Sequence, residues 1–220
     1  MDIIKISGDS IPYVLRSNSY LVVDDNQFFI IDPSMPISKV EQSLGKKVVF
    51  DKSHSNNKNM YLVGVVVTHC HADHIASIQQ YIEKEVPVYL SQMTLNNIKS
   101  GDSITCADMI LDYPLIVDMD KIKINILKDK LNIFNDHIFK IKFTIGHTND
   151  SISIYDNSNI FCGDLIFDGG GIGRTDLPTG DYGNIIDSID WLNTLDKNMI
   201  VHSGHGNDFR LKHFFENFDL

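Results

Sequence analysis

Short apolar runs punctuate this chain at 3–6, 20–23, 28–31 and 63–67, each flanked by polar or turn residues. Runs of this length, rich in β-branched side chains, predict strands. Further strands are predicted at 86–90, 139–144, 152–155, 160–162 and 199–201; the one at 139–144 alternates apolar and polar residues as a half-buried strand does. Elsewhere the period lengthens. Residues 38–44 predict a short helix closed by Gly45. Ile75, Ile78 and Ile82 predict a helix reaching Lys84. Ile185, Ile189, Leu192 and Leu195, with Trp191 nearby, and then Leu211, Phe214, Phe215 and Phe218 mark two more helical faces. Residues 91–126 follow no clear period, and no element is assigned there. Strands interleaved with helices predict an α/β fold.

What stands at the strand ends changes the picture. Directly after 63–67 comes Thr68-His69-Cys70-His71-Ala72-Asp73-His74, with three imidazoles and a carboxylate in six residues. The same grammar returns at His147, Asp164 and His205, each just past a predicted strand. Open α/β sheets gather ligands at the carboxyl ends of their strands. Imidazole and carboxylate donors together suit zinc, iron or manganese. Seven such donors exceed one tetrahedral ion, whereas two ions about 3.5–4 Å apart, sharing a carboxylate, use them all. Asp32, before Pro33, is read either as an acid orienting a ligand imidazole or as ordinary turn chemistry. Cys70, between two ligands, is read as a small buried side chain pointing away from the metal. His54 lies in a polar loop and is expected in solvent. The run Gly169-Gly170-Gly171-Ile172-Gly173-Arg174 has no Lys-Ser or Lys-Thr and opens no obvious helix, so it is not read as a phosphate loop.

Composition narrows the function classes. The 220 residues are 43% hydrophobic and 22% charged, and we expect one domain over 1–220. A formal charge of −10 argues against nucleic acid and against an anionic membrane as partners. Cys70, Cys106 and Cys162 form no disulfide framework, and no signal peptide or membrane-spanning run is apparent, so a cytoplasmic location is expected.

The ordered set His-x-His-x-Asp-His, Gly-His-Thr, Gly-Asp and Gly-His-Gly resembles the metallo-β-lactamase superfamily. That resemblance implies a four-layer αβ/βα sandwich, two mixed sheets with helices on the outer faces, and a site at one edge of both sheets. It implies that His69, His71 and His147 hold a first divalent ion. Asp73, His74 and His205 would hold a second, with Asp164 bridging; zinc is expected, with iron or manganese as alternatives. Within the superfamily, Asp164 argues against true zinc β-lactamases, which generally carry Cys or another residue there. Residues 173–181, Gly-Arg-Thr-Asp-Leu-Pro-Thr-Gly-Asp, are similar to small glyoxalase II-type hydrolases, which cleave thioesters such as S-lactoylglutathione. The implied chemistry is attack by a metal-activated water on the thioester carbonyl, with Asp73 and Asp164 as the catalytic carboxylates. Arg174 is expected either to grip a substrate carboxylate or to pair with Asp176 or Asp181. The stretch Thr-His-Cys-His-Ala-Asp-His-Ile is also similar to persulfide dioxygenases, which share the fold and bind one iron. The sequence ends before the C-terminal helical segment in which larger glyoxalase II enzymes hold glutathione, so the thiol carrier stays open. Where the family often has Pro-Gly after Gly-His-Thr, this chain has Asn149-Asp150, and a different turn is expected there. A non-catalytic binding protein of the same fold is the weakest reading, because every ligand position is filled.

Overall fold

The computed structural model describes residues 1–10, 16–102, 104–108, 115–118, 120–134 and 137–218. Among them lie two mixed sheets. The first contains β1 (Asp2–Ile6), β2 (Ser19–Asp24), β3 (Gln27–Ile31), β4 (Lys47–Val49), β5 (Asn59–Val66), β6 (Pro87–Leu90) and β7 (Lys123–Ile126). Its order is β1-β2-β3-β5-β6-β7, with β4 also pairing with β5. The second contains β8 (Lys130–Phe134), β9 (His137–Phe143), β10 (Ile152–Tyr155), β11 (Asn159–Gly163), β12 (Ile200–Ser203) and β13 (Phe209–Arg210), in the order β13-β12-β11-β10-β9-β8. Against them lie helices α1 (Ile37–Leu44), α2 (Ile78–Ile82), α3 (Gln92–Ser100), α4 (Tyr182–Asn193) and α5 (Leu211–Asn217).

The period-two pattern creates the layers. On β3, Phe29 and Ile31 face the second sheet, where they meet Phe139, Ile154 and Phe161. Phe28 and Ile30 face the other way, onto Val40 of α1 and Ile78 of α2. On β11, Phe161 points between the sheets while Ile160 and Cys162 pack under Ile185 and Ile189 of α4 and Phe214 of α5. Alternating apolar residues buried on both faces force helices onto both outer surfaces. The result is the expected four-layer αβ/βα sandwich.

Strand register then brings the site together. In the parallel pair β3–β5, Ile31 lies opposite Val66, and the Asp32 amide donates to Val66 O at 2.8 Å, so Asp32 and Thr68 emerge side by side. In the parallel pair β11–β12, Gly163 lies opposite Ser203, and the Gly204 amide donates to Gly163 O at 2.8 Å. The Ile152 amide donates to Thr68 O at 3.0 Å, which stitches the second sheet to the first at this edge.

The helix predicted from Ile75 begins only at Ile78. Residues 71–77 instead form turns in which the amides of His74, Ile75 and Ile78 each bond three residues back. Within 91–126, the structure shows α3, started by Ser91, whose Oγ accepts from the Thr94 amide at 3.0 Å, and β7. Among the described residues no helix is long and apolar enough to cross a membrane.

Candidate metal centre

Every strand end named from the sequence brings its candidate side chain to one place. His69, His71, Asp73 and His74 come from the turns after β5. His147 comes from the loop between β9 and β10, Asp164 from the end of β11, and His205 from the end of β12. Six of the seven are buried, and His205 is half-buried. Their donor atoms fall into three overlapping groups, each within 4.8 Å: His69, His71 and His147; Asp73, His74 and His205; and His69, His74 and Asp164. The third group links the other two.

Asp164 lies between the two halves. Its Oδ1 is 3.2 Å from His74 Nε2, while Oδ2 is 3.5 Å from His205 Nε2 and 3.6 Å from His147 Nε2. His205 Nε2 also lies 3.0 Å from Asp73 Oδ2, and His71 Nδ1 lies 3.0 Å from His147 Nε2. A tetrahedral zinc with bonds of about 2.0–2.1 Å has ligand–ligand edges of about 3.3 Å. The spacing therefore fits ligands around ions. Buried atoms without a hydrogen-bond partner include His69 Nε2, His74 Nε2 and Asp164 Oδ1. Such orphans are costly in a folded protein unless something satisfies them, and divalent metal does so for this donor set.

In His69, His74 and His147 the outer ring nitrogen is fixed by a partner, which sets the tautomer. His74 Nδ1 donates to Asp32 Oδ2 at 2.7 Å. Thr68 donates from its amide to Asp32 Oδ1 and from its hydroxyl to Asp32 Oδ2, both at 2.8 Å. The same hydroxyl oxygen therefore accepts from His69 Nδ1 at 3.1 Å. His147 Nδ1 donates to Arg174 O at 2.8 Å. In each case Nε2 is left as the lone pair facing the cluster. Of the two readings of Asp32, the orienting one describes its position.

Electrostatics divides the cluster. Burial, with the neighbouring imidazoles, holds His69 well below the ordinary histidine range and His71 at about 3, so both are neutral and ready to ligate. Burial also opposes charge on His74, but Asp164, Asp73 and Asp32 outweigh it and raise its pKa well above the ordinary value. Asp164 is correspondingly held well below the carboxylate range: burial is overcome by His74, His205 and His147. Without metal, protons on His74 and His205 balance the carboxylates.

Glycines make this crowding possible. A Cβ on Gly204 would sit 2.1 Å from Asp164 Oδ1 and 2.5 Å from His74 Cε1. Gly163 has φ +53°, and a Cβ there would meet Thr68 Oγ1 at 2.7 Å.

The sequence profile of the metallo-beta-lactamase superfamily matches residues 12–205. The chain belongs to this superfamily. It is 31% identical over 198 residues to the probable metallo-hydrolase YqgX of Bacillus subtilis, covering 87% of this chain and 86% of that one. It is 25% identical over 194 residues to the hydroxyacylglutathione hydrolase of Prochlorococcus marinus, covering 84% of this chain but 66% of that enzyme. The crystal structure of TTHA1623 in a di-iron-bound form superposes with a TM-score of 0.70 at 24% identity, covering 94% of this chain and 96% of that one. Superfamily membership and the His/Asp cluster together make this a divalent-metal site of a metallo-hydrolase.

Arg174 stands apart. Its guanidinium is exposed and grips Asp176 with two bonds, Nε to Oδ1 at 2.8 Å and Nη2 to Oδ2 at 2.7 Å. Its backbone carbonyl, not its charge, touches the cluster through His147. Cys70 turns away: Asn97 Nδ2 donates to its sulfur at 3.6 Å, and its thiol faces Thr105 O. His54 is exposed, as expected. Sequence reasoning missed Thr68, whose only signal was its place before His69. It also missed Phe167, whose ring lies 6.3 Å from that of His205, in an open cleft lined with Asp168, Gly206 and Asn207.

Proposed function

We propose that this metallo-hydrolase is dinuclear and cleaves a thioester, with zinc the expected metal. The observation that supports it is the placement of Asp164, one oxygen beside His74 and the other between His205 and His147. A mononuclear centre has no need of the complete Asp73, His74 and His205 set. The hydroxyacylglutathione hydrolase relative acts, by its name, on a glutathione thioester, and we carry that substrate class over as part of the proposal. Three buried free thiols suit a reducing compartment, and we place the protein in the cytoplasm.

His69, His71 and His147 would hold one ion and Asp73, His74 and His205 the other, with Asp164 within reach of both sets. Two ions so held supply a water acidified toward neutrality and a Lewis acid for the carbonyl oxygen. Asp73, kept ionised despite its burial by His74 and His205, accepts a hydrogen bond from the attacking water and orients it. Asp32 and Thr68 keep His74 and His69 in the ligating tautomer throughout. A thiol leaving group with a pKa of about 8.5 departs as thiolate with little help from an acid. The cleft beside Phe167 gives the substrate its approach. Arg174 binds the carboxylate of an acidic thiol carrier by exchanging it for Asp176, since an exposed ion pair is weakly held.

The similarity of residues 68–75 to persulfide dioxygenases supplies the competing reading. Cleavage of S-lactoylglutathione and oxygen uptake with glutathione persulfide, measured side by side on purified protein, separate the two. Thioester cleavage without oxygen uptake is expected. Persulfide-dependent oxygen uptake without thioester cleavage would replace the hydrolase with the dioxygenase.

A further inference from the structure

His205 is the most solvent-accessible of the seven ligands, with a side chain 32% exposed, and it rides on irregular backbone between β12 and β13. Something must hold that backbone if Nε2 is to stay within reach of Asp73 and Asp164. The structure shows what does so. Carbonyls 203 to 206 are each held in turn. The Ser203 carbonyl accepts from Tyr20 Oη at 2.7 Å and from Asn18 Nδ2 at 3.0 Å. The Gly204 carbonyl accepts from the Asn18 amide at 2.7 Å. The His205 carbonyl accepts from Ser203 Oγ at 2.9 Å. The Gly206 carbonyl accepts from Asn18 Nδ2 at 3.2 Å and from Lys5 Nζ.

Two of these clamping side chains, Tyr20 and Lys5, converge on one carboxylate. Asp208 Oδ1 lies 2.9 Å from Tyr20 Oη, whose single hydroxyl proton it shares with the Ser203 carbonyl, and 3.2 Å from Lys5 Nζ. Asp208 Oδ2 accepts from His202 Nδ1 at 3.1 Å. His202 is itself immobilised: its ring stacks on Phe161 at 4.6 Å between centroids, and its Nε2 faces Asn159 Oδ1 at 3.1 Å. Asp208 thus ties β1, β2 and β12 around the backbone that presents His205. A charged hub with three partners, half shielded from solvent, is far stiffer than the same loop with water in its place.

We propose that Asp208 is a positioning residue: by holding Tyr20, Lys5 and His202 it fixes the loop of His205, and so sets the affinity of the Asp73–His74–His205 half of the centre. The second part rests on the dinuclear reading; the first does not. Removing the carboxylate leaves Lys5 and His202 without their partner and frees the loop, while His69, His71 and His147, on other elements, keep their surroundings.

The test uses the full chain with Asp208→Ala and Asp208→Asn, and zinc alone as the probe. Stepwise zinc affinity is measured by chelator competition. Amide hydrogen exchange is measured on the metal-free proteins. In Asp208→Ala one of the two zinc steps should loosen by about 10–100-fold, the range seen when a ligand's supporting partner is lost, with the other step unchanged. Exchange should speed up over 203–208 and stay as in the parent over β10 and β11. Asp208→Asn keeps an acceptor for Tyr20 but loses the charge opposite Lys5, so it should fall between, and it decides the matter if the alanine variant does not fold. Unchanged exchange at 203–208 overturns the positioning role, whatever the metal count. Faster exchange with both zinc steps unchanged overturns the link from loop to metal. A parent protein that takes one zinc only would refute the dinuclear reading instead, and exchange alone would then judge Asp208.

Discussion

Asp32→Asn probes the tautomer argument at a single atom. The Asp32 carboxylate is 3% exposed and receives three hydrogen bonds, two from Thr68 and one from His74 Nδ1. Asparagine is nearly isosteric and tolerates the left-handed backbone at this position, φ +55°. Its amide oxygen must stay on the Thr68 N–H, because a second donor cannot face that amide. The NH₂ group then faces both His74 Nδ1 and Thr68 Oγ1, which become acceptors, and the hydroxyl proton turns to His69 Nδ1. The imidazole proton moves to Nε2, where the metal lone pair should be. Loss of such a partner typically costs 10–100-fold in metal affinity, which converts to about 1.4–2.7 kcal/mol. Metal-free His74 carries a proton that Asp32 helps to hold, so the metal-free variant should also melt below the parent. Asp32→Ala should do worse on both counts. It strands the buried Thr68 amide and His74 Nδ1 at about 1–3 kcal/mol each, and it places alanine at positive φ. Chelator competition gives the affinities, and nitrogen-15 shifts of the His74 ring give the tautomer. If Asp32→Asn binds metal as tightly as the parent, with His74 still protonated on Nδ1, Asp32 does not orient His74.

Other outcomes follow from the same geometry. Asp164→Ala should release metal and abolish activity together, since Asp164 reaches both halves; a variant that still holds two ions would end the bridging role. Arg174→Ala should raise KM for anionic thioesters about 10-fold or more with little change in kcat, whereas an unchanged KM across anionic substrates leaves Arg174 only its pair with Asp176. Metal-free protein should respond to pH through two opposed sets. His69 and His71 are neutral when folded, so the unfolded chain binds more protons below about 6.5 and stability is lost as pH falls toward 3. His74 and His205 have raised pKa values, so their contribution is complete below about 6.5 and lost as pH rises through those values. Denaturant melts of stripped protein at pH 4.5, 6.5 and 8.5 check this; a steady gain in stability on acidification to 4.5 would contradict the first set.

Much of the centre was legible because its chemistry is local. A strand of β-branched residues ending in three histidines and an aspartate is dense in ligand atoms wherever it folds, and the shared strand-end grammar placed His147, Asp164 and His205 with it. The start of α2 was misread for a physical reason. Between 71 and 78 only the amides of His74, Ile75 and Ile78 bond three residues back, and these turns carry Ile75 and Ile78 to the same core face that a continuous helix would. Helix α3 escaped notice because only Leu95 and Ile98 anchor its apolar side in an otherwise polar sequence. Strand β7 does alternate, Lys123-Ile124-Asn125-Ile126, but it is four residues long and mostly exposed at the sheet edge, so the alternation marks no buried face. Partners set by topology were invisible: Arg174 offers a backbone carbonyl, which no side-chain motif encodes, and Asp208 gains its role only when β1 and β2 fold over it.

The proposed function requires seven side chains to hold two ions, with Asp164 shared between them, for thioester hydrolysis. Its most direct test is S-lactoylglutathione cleavage in oxygen-free buffer as zinc is added stepwise to metal-free protein. The rate should climb steeply between one and two equivalents and level off at two. A rate that is complete at one equivalent would contradict the two-ion centre, and no thioester cleavage at any zinc level would contradict the proposed reaction.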